Sequence, residues 1–370
     1  MHHTINLKLS KILSLLPPHN VRRPRSLCAT LHGLFIIFVL LGMFAANVTT
    51  RTFFYYRHLQ NLEKLLDAVI HTFTTLTNVN SLVCSVFLHR KHWTIMLNDA
   101  KNRFEKTNSD LYFCILTLLF ALQTYFEIYF HARLGHRIIM YLIPSFVNVF
   151  IILISVLNIN YFAGQLKNML ATFRKNLKLE KLRLDEIRKT ETNPHLVSRM
   201  LEESSRADDT FRNFVDICHR LNSFNKIYGW QILNFAAVVL IFAYENLNVA
   251  FREVFKNNKY SVHSEIVLIK MLKCFNFLIF GVLLIRPCSQ FNGEMDKVVT
   301  LSRKILINLP ETLDSSFTHY LKLKLIFLLK LVEMRRPYFS AAGFFEVNYV
   351  MLVYILNGIT SYLMVTLQAA

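Results

Sequence analysis

Seven stretches of this 370-residue chain are apolar over lengths close to the thickness of a bilayer core: 30–48, 64–88, 111–132, 137–161, 229–251, 264–286 and 347–368. A helix needs about 20 mostly apolar residues to cross hydrocarbon. Within hydrocarbon, only a helix or a closed barrel satisfies its own backbone. These windows predict an all-α, polytopic membrane protein with seven transmembrane helices. The first run lies too far in and is too long for a cleaved signal peptide, so it counts as a span. The second is the most polar, carrying Asp67, His71 and a Thr/Asn-rich centre from Thr74 to Asn80.

Charge then orients the chain. The formal net charge is +18, which in a soluble protein would point to nucleic acid. In a membrane protein it is loop charge facing an anionic leaflet. The bilayer is therefore an expected partner and nucleic acid is not. With the N-terminus inside, 32 of the 42 Lys and Arg fall in the inner segments and 8 in the outer ones. That bias predicts an inside N-terminus and an outside C-terminus. The Asn47-Val48-Thr49 sequon then lies at the outer end of the first span.

The windows divide the chain into four parts. Residues 1–29 form a cytoplasmic N-terminus, and 30–286 a six-helix transmembrane bundle whose inner loop, 162–228, is long and basic. Residues 287–346 form a cytoplasmic anchor segment, and 347–370 the seventh helix. The long loop has helical periodicity, with Leu166, Leu170, Phe173, Leu177, Leu184 and Ile187 on one side. Leu321 to Val332 is similar, with Lys322, Lys324 and Lys330 on its polar side. These stretches read as helices that extend the spans into the cytoplasm and pack on one another; a membrane-surface helix is the competing reading.

A charge in a span costs about 2.5–3.5 kcal/mol on insertion scales, so intramembrane polar residues are informative. The third span carries Gln123, Tyr125, Glu127, Tyr129 and His131, and the fourth Tyr141 and Asn148. The fifth has Tyr244, Glu245, Asn246 and Asn248, and the sixth Glu265, Lys270, Lys273 and Asn276. Most lie in the outward half of the bundle. One reading is an outer, aromatic-walled pocket for a small molecule, lined by Gln123, Glu127, Tyr129, Tyr141, Asn148, Tyr244, Glu245 and Asn248. The other is structural: Lys270 or Lys273 neutralises Glu245 or Glu127, and the tyrosines form an interfacial belt. Asp67 and His71, one turn apart, read either as a relay or as an end-of-span pair.

No HExxH, GxSxG or glycine-rich phosphate loop is present, and the six cysteines show neither CxxC nor a Cys/His metal spacing. Neither an enzyme nor a cofactor is expected, nor is a structural disulfide.

The last window raises a question of its own. On a helix of 3.6 residues per turn, Gly358, Ser361, Tyr362, Val365, Gln368 and Ala369 share a small, polar face, while Leu356, Leu363 and Leu367 lie elsewhere. A glutamine at the end of a span needs either interfacial water or partners from other helices. The segment SAAGFFEVNYVMLVYILNGITSYLMVTLQ, Ser340 to Gln368, resembles the C-terminal signature of insect gustatory receptors. That signature is Thr-Tyr, five hydrophobic residues and Gln-Phe, entered through a Gly-Phe-Phe turn. Here it reads Ser361-Tyr362, Leu363 to Leu367 and Gln368, with Gly343-Phe344-Phe345 upstream. Serine replaces the threonine, and Ala369 stands where the family has phenylalanine.

The resemblance implies a tastant-gated, non-selective cation channel in the plasma membrane of chemosensory neurons. It implies homo- or hetero-tetramers in which four seventh helices line one pore. Gly358, Ser361, Tyr362, Val365, Gln368 and Ala369 would then be pore-lining, with Gln368 at the constriction and Ala369 where a bulky gate residue is expected. It implies a small-molecule tastant in each subunit's outer bundle, a bitter compound before a sugar. An odorant receptor of the same superfamily is the nearest alternative, and the Tyr-x5-Gln ending favours the gustatory form. A G-protein-coupled receptor would need an outside N-terminus, a DRY-like triplet and NPxxY, and a secondary transporter would need broken helices and an internal repeat.

Overall fold

A computed structural model describes residues 5–16, 27–55, 61–97, 109–134, 139–189, 196–255, 262–308, 316–334 and 336–368. The elements, in order, are α1 (Ile5–Ile12), α2 (Leu27–Thr50), a π-helical turn (Arg51–Tyr55), α3 (Asn61–Val86), α4 (Arg90–Leu97) and α5 (Ser109–Leu134). They continue with α6 (Ile139–Lys189), α7 (Leu196–Phe255), α8 (Val262–Asn308), α9 (Ser316–Met334), β1 (Ser340–Ala341), β2 (Phe345–Glu346) and α10 (Tyr349–Gln368). The seven apolar windows fall on α2, α3, α5, α6, α7, α8 and α10. The fold is that of an all-α polytopic membrane protein.

Among the described residues, four helices are long and apolar enough to cross a membrane outright: Thr30–Phe53, Leu142–Leu182, Phe211–Phe251 and Val267–Asn308. Phe113–Tyr129 and Tyr349–Val365 are shorter apolar helices. Polar α3 is explained by its packing. Thr74, Thr75, Thr77, Asn78, Ser81 and Ser85 are all buried, whereas Leu65 and Leu76 are exposed. The helix therefore turns much of its polar side inward, beside buried Ile70 and Leu82. Several hydroxyls satisfy themselves on their own helix: Thr77 and Ser81 donate to the Phe73 and Thr77 carbonyls at 2.7 and 2.9 Å.

The chain divides into two compact units. The first comprises residues 1–161, 225–286 and 340–370, and holds the bundle. The N-terminal segment is built into its core. Leu15 packs with Leu40, Leu82, Ile151 and Ile154, and the Ser10 hydroxyl, fully buried, donates to Asn158 Oδ1 at 2.9 Å. Trp93 of α4 is buried edge-on against Tyr228 of α7, with ring centroids 5.7 Å apart.

The second unit comprises residues 162–224 and 287–339. Of the periodic residues of α6, Leu166, Leu170, Phe173 and Leu177 are buried here; the side chains of Leu184 and Ile187 lie outside the described residues. Phe173 meets Phe214 at 5.1 Å, and Phe339 meets Phe224 and Phe291 at 4.8 and 5.1 Å. α9 buries Leu325, Leu328 and Val332 and leaves Lys322 and Lys330 exposed. Arg174 pairs with Glu294 at 2.8 Å, and Arg336 with Asp296 at 2.7 Å. Pro287, inside α8, falls at the junction where that helix passes from one unit to the other.

The hairpin before α10 belongs to the first unit. β1 and β2 pair antiparallel, Ser340 with Glu346 and Ala341 with Phe345. Ala342 and Gly343 turn the corner with φ of 53° and 86°, left-handed conformations that glycine adopts freely. Gly229 of α7 lets the hairpin lie flat on it. A Cβ there would sit 2.9 Å from the Ala342 nitrogen and 3.2 Å from the Ser340 carbonyl oxygen. The Ser340 amide donates to Asn225 Oδ1 at 3.0 Å. Asn348 then caps α10, its Oδ1 accepting from the Val350 and Met351 amides at 3.0 and 3.3 Å.

Candidate functional site: a paired polar layer and the exposed face of α10

Among the described residues, the bundle interior holds two groups of paired charged side chains. In the first, the π-helical turn carries Arg51 inward, where it is buried. Its Nη1 meets the Asp67 carboxylate at 2.5 Å, its Nε donates to Asn47 Oδ1 at 2.8 Å, and its Nη2 donates to Ser145 Oγ at 3.2 Å. A single extra residue per turn is a recurrent device at functional sites. Here it brings a guanidinium onto a carboxylate of α3. His71 completes the group, with Nε2 3.6 Å from Asp67 and Nδ1 3.4 Å from the Asn47 amide nitrogen.

The second group joins α5, α7 and α8. Glu127 is 1% exposed and takes Lys273 Nζ at 2.9 Å. Gln123 donates to it at 3.0 Å and accepts from Asn276 at 2.5 Å. Lys270 pairs with Glu245 at 3.2 Å, and Glu245 lies within electrostatic reach of His71. Apart from His71, three cations thus face three carboxylates, and their charges balance. Burying an ion is tolerable only when its partner and its hydrogen bonds come with it. On α7 and α8 of this group, the buried Oδ1 atoms of Asn246 and of Asn276 find no donor among the described residues.

The residues singled out from the sequence separate here. Gln123 and Glu127 share one network with Lys273, and Glu245 joins Lys270. Asn148 is buried elsewhere, accepting from Asn78 at 2.9 Å and donating to Thr75 at 3.4 Å. Asn248 is buried and Tyr244 is half-buried. Tyr129 is exposed and stacks on Tyr125, with centroids 6.2 Å apart. The Tyr141 side chain lies outside the described residues. Sequence reasoning missed Arg51, Asn47, Ser145 and Asn78. Arg51 counted only as an outer charge, and its distance from Asp67 in sequence carries no signal of contact.

α10 buries Met351, Ile355, Ile359 and Leu363 along one seam. Ser361, Tyr362, Val365 and Gln368 are exposed. Gly358 faces α7, where an added Cβ would touch Leu240 at 3.4 Å, and Tyr362 meets Tyr244 edge-on at 5.9 Å. Ala369 lies outside the described residues. Between α7 and the first half of α10 is an apolar cavity of about 490 Å³, lined by Leu233, Ala236, Leu240, Val350, Met351 and Ile355 among others.

The fold is similar to that of the olfactory receptor OR5 of the insect Machilis hrabei, solved in complex with eugenol. The TM-score is 0.64 at 11% identity, covering 99% of this chain and 97% of that one. No curated protein matches the chain in sequence. The family profile described as 7tm Chemosensory receptor matches residues 3–370. A multi-pass plasma-membrane protein accords with that profile and with the apolar helices. The chain belongs to the seven-transmembrane chemosensory receptor family.

Proposed function

We propose that this receptor is gustatory and acts as a tastant-gated, non-selective cation channel, built as a homo- or hetero-tetramer around four α10 helices. The observation that carries the channel reading is α10 itself. It is a shorter apolar helix, buries one seam among its described residues, and leaves Ser361 and Gln368 exposed. The Ser361-Tyr362-x5-Gln368 ending supports gustatory over odorant.

The tastant occupies the outer part of the bundle beside the paired layer. Its class follows from what that layer has left to offer. Gln123, Glu127, Lys273, Glu245 and Lys270 already engage one another, so few groups remain for the many hydroxyls of a sugar. The unpaired oxygens of Asn246 and Asn276 suit a ligand bringing one or two donors on a largely apolar body. A bitter compound fits this better than a sugar.

The test is current recording from cells expressing the chain while plant alkaloids, phenols, sugars and volatile odorants are applied. Currents evoked by bitter compounds support the reading. Currents evoked only by volatiles convert it to an odorant receptor. Responses abolished by blocking G proteins, with no channel current at normal surface levels, overturn it.

A further inference from the structure

We propose that Asn357 lines the conduction path as a second amide ring, contacting permeating monovalent cations inward of Gln368. This rests on the reading of α10 as a pore helix. Among the described residues of α10, the exposed polar side chains other than tyrosine are Asn357, Thr360, Ser361 and Gln368. Thr360 is satisfied within its own helix, its hydroxyl donating to the Leu356 and Asn357 carbonyls at 3.1 and 3.0 Å. The side chains of Asn357, Ser361 and Gln368 hydrogen-bond no described residue.

Those three residues are not scattered. At about 100° per residue, positions 357, 361 and 368 fall within a sector of about 40°, and Thr360 lies outside it. A primary amide in hydrocarbon keeps two donors and an acceptor unsatisfied, which is costly there. Three unsatisfied polar groups on one stripe mark the side of α10 that faces water. Gly358 and Tyr362, which turn toward Leu240 and Tyr244 of α7, sit at the edge of that side, so the stripe centres nearer Asn357 than the helix pattern alone implies.

The spacing gives the stripe two levels. Asn357 lies eleven residues before Gln368, roughly 16 Å along the axis at 1.5 Å per residue. Four copies place amide oxygens at both levels, with the Ser361 hydroxyls one turn outward of Asn357. Oxygen dipoles without a fixed charge replace part of a cation's hydration without holding it, as conduction requires. α10 carries no acidic residue, so the amides are its cation-attracting groups.

The experiment labels single-cysteine substitutions in the full chain, in proteoliposomes, with the membrane-impermeant reagent trimethylammonium-ethyl methanethiosulfonate. α10 holds no native cysteine, so modification is read on its own peptide by mass. Asn357→Cys and Ser361→Cys are modified and Leu356→Cys, about 100° away, is not. Modified Ser361→Cys with protected Asn357→Cys overturns the inference and leaves the pore helix standing. Protection of both, or equal modification of Leu356→Cys, overturns the pore-helix reading as well. Should Asn357→Cys not reach the membrane, Val350→Cys reports the same sector two turns inward, and its protection counts against the inference. In current recordings Asn357→Asp, which sets four carboxylates in the path, raises calcium permeability relative to sodium. An unchanged ratio in a channel labelled at Asn357→Cys overturns the cation contact.

Discussion

Glu127 is the residue whose surroundings say most about how this bundle tolerates charge. It is almost wholly buried, and Lys273 and Gln123 are the groups that neutralise and solvate it. Removing one partner of such a pair costs about 3–5 kcal/mol, because the other charge is stranded, whereas removing both is often nearly neutral. Lys273→Met is therefore expected to lower the unfolding temperature of the purified receptor and its surface level. Adding Glu127→Gln to the same chain restores both. Glu127→Gln alone leaves Lys273 partly exposed and able to reach water, so it folds and shifts the tastant concentration dependence at unchanged surface expression. If the double variant is as poorly folded as Lys273→Met, the contribution of Glu127 is not electrostatic. Glu127 and Lys273 were both conspicuous in the sequence as intramembrane charges. Their partnership, and that of Arg51 with Asp67, follows from how helices meet in space, which spacing along one chain does not encode.

At the scale of elements, apolar length made the spans legible. Each of the seven windows falls on a helix, because a run of such length in lipid satisfies its backbone within itself only as a helix. What length does not reveal is continuation. α6, α7 and α8 each run well past their apolar windows, and only the periodic Leu166, Leu170, Phe173 and Leu177 announced one of these extensions. The hairpin was legible only as a Gly-Phe-Phe turn; its seat on Gly229 depends on an approach of two backbones. That seat makes a prediction. With a Cβ at 229 only 2.9 Å from backbone nitrogen, Gly229→Val must push the hairpin away and weaken the Asn225–Ser340 bond and the Trp230–Phe344 edge contact, whose centroids lie 6.1 Å apart. α10 is then released at its start while its seam against α7 remains. Gly229→Val is expected to reach the surface and to give smaller tastant-evoked currents, whereas Gly164→Val, where an added Cβ meets nothing within 4 Å, leaves them unchanged. Equal effects from both substitutions would mean that the hairpin does not couple α7 to α10.

For the whole molecule, orientation and assembly decide whether α10 can act as proposed. The Lys and Arg bias places the N-terminus inside, so a tag before Met1 is expected to be detected only in permeabilised cells, and one after Ala370 on intact cells. A tag before Met1 that is visible on intact cells reverses the topology. In the proposed tetramer, with the C-terminus outside, Gln368 lies at the outer end of α10 and four copies bring four amides to the same level. Gln368→Arg in that arrangement sets four positive charges in the path of a permeating cation. Unit charges 4 Å apart still repel by about 4 kcal/mol at an effective dielectric of 20, enough to exclude cations and admit anions. The expected outcome is loss of cation current with a reversal potential moved toward that of chloride, at normal surface levels. A lone protomer with α10 facing lipid predicts no such change, because an arginine at a helix end reaches the interface and leaves any conduction elsewhere untouched. Cation current that survives Gln368→Arg unaltered therefore removes α10 from the pore, and with it the tetrameric reading of the molecule.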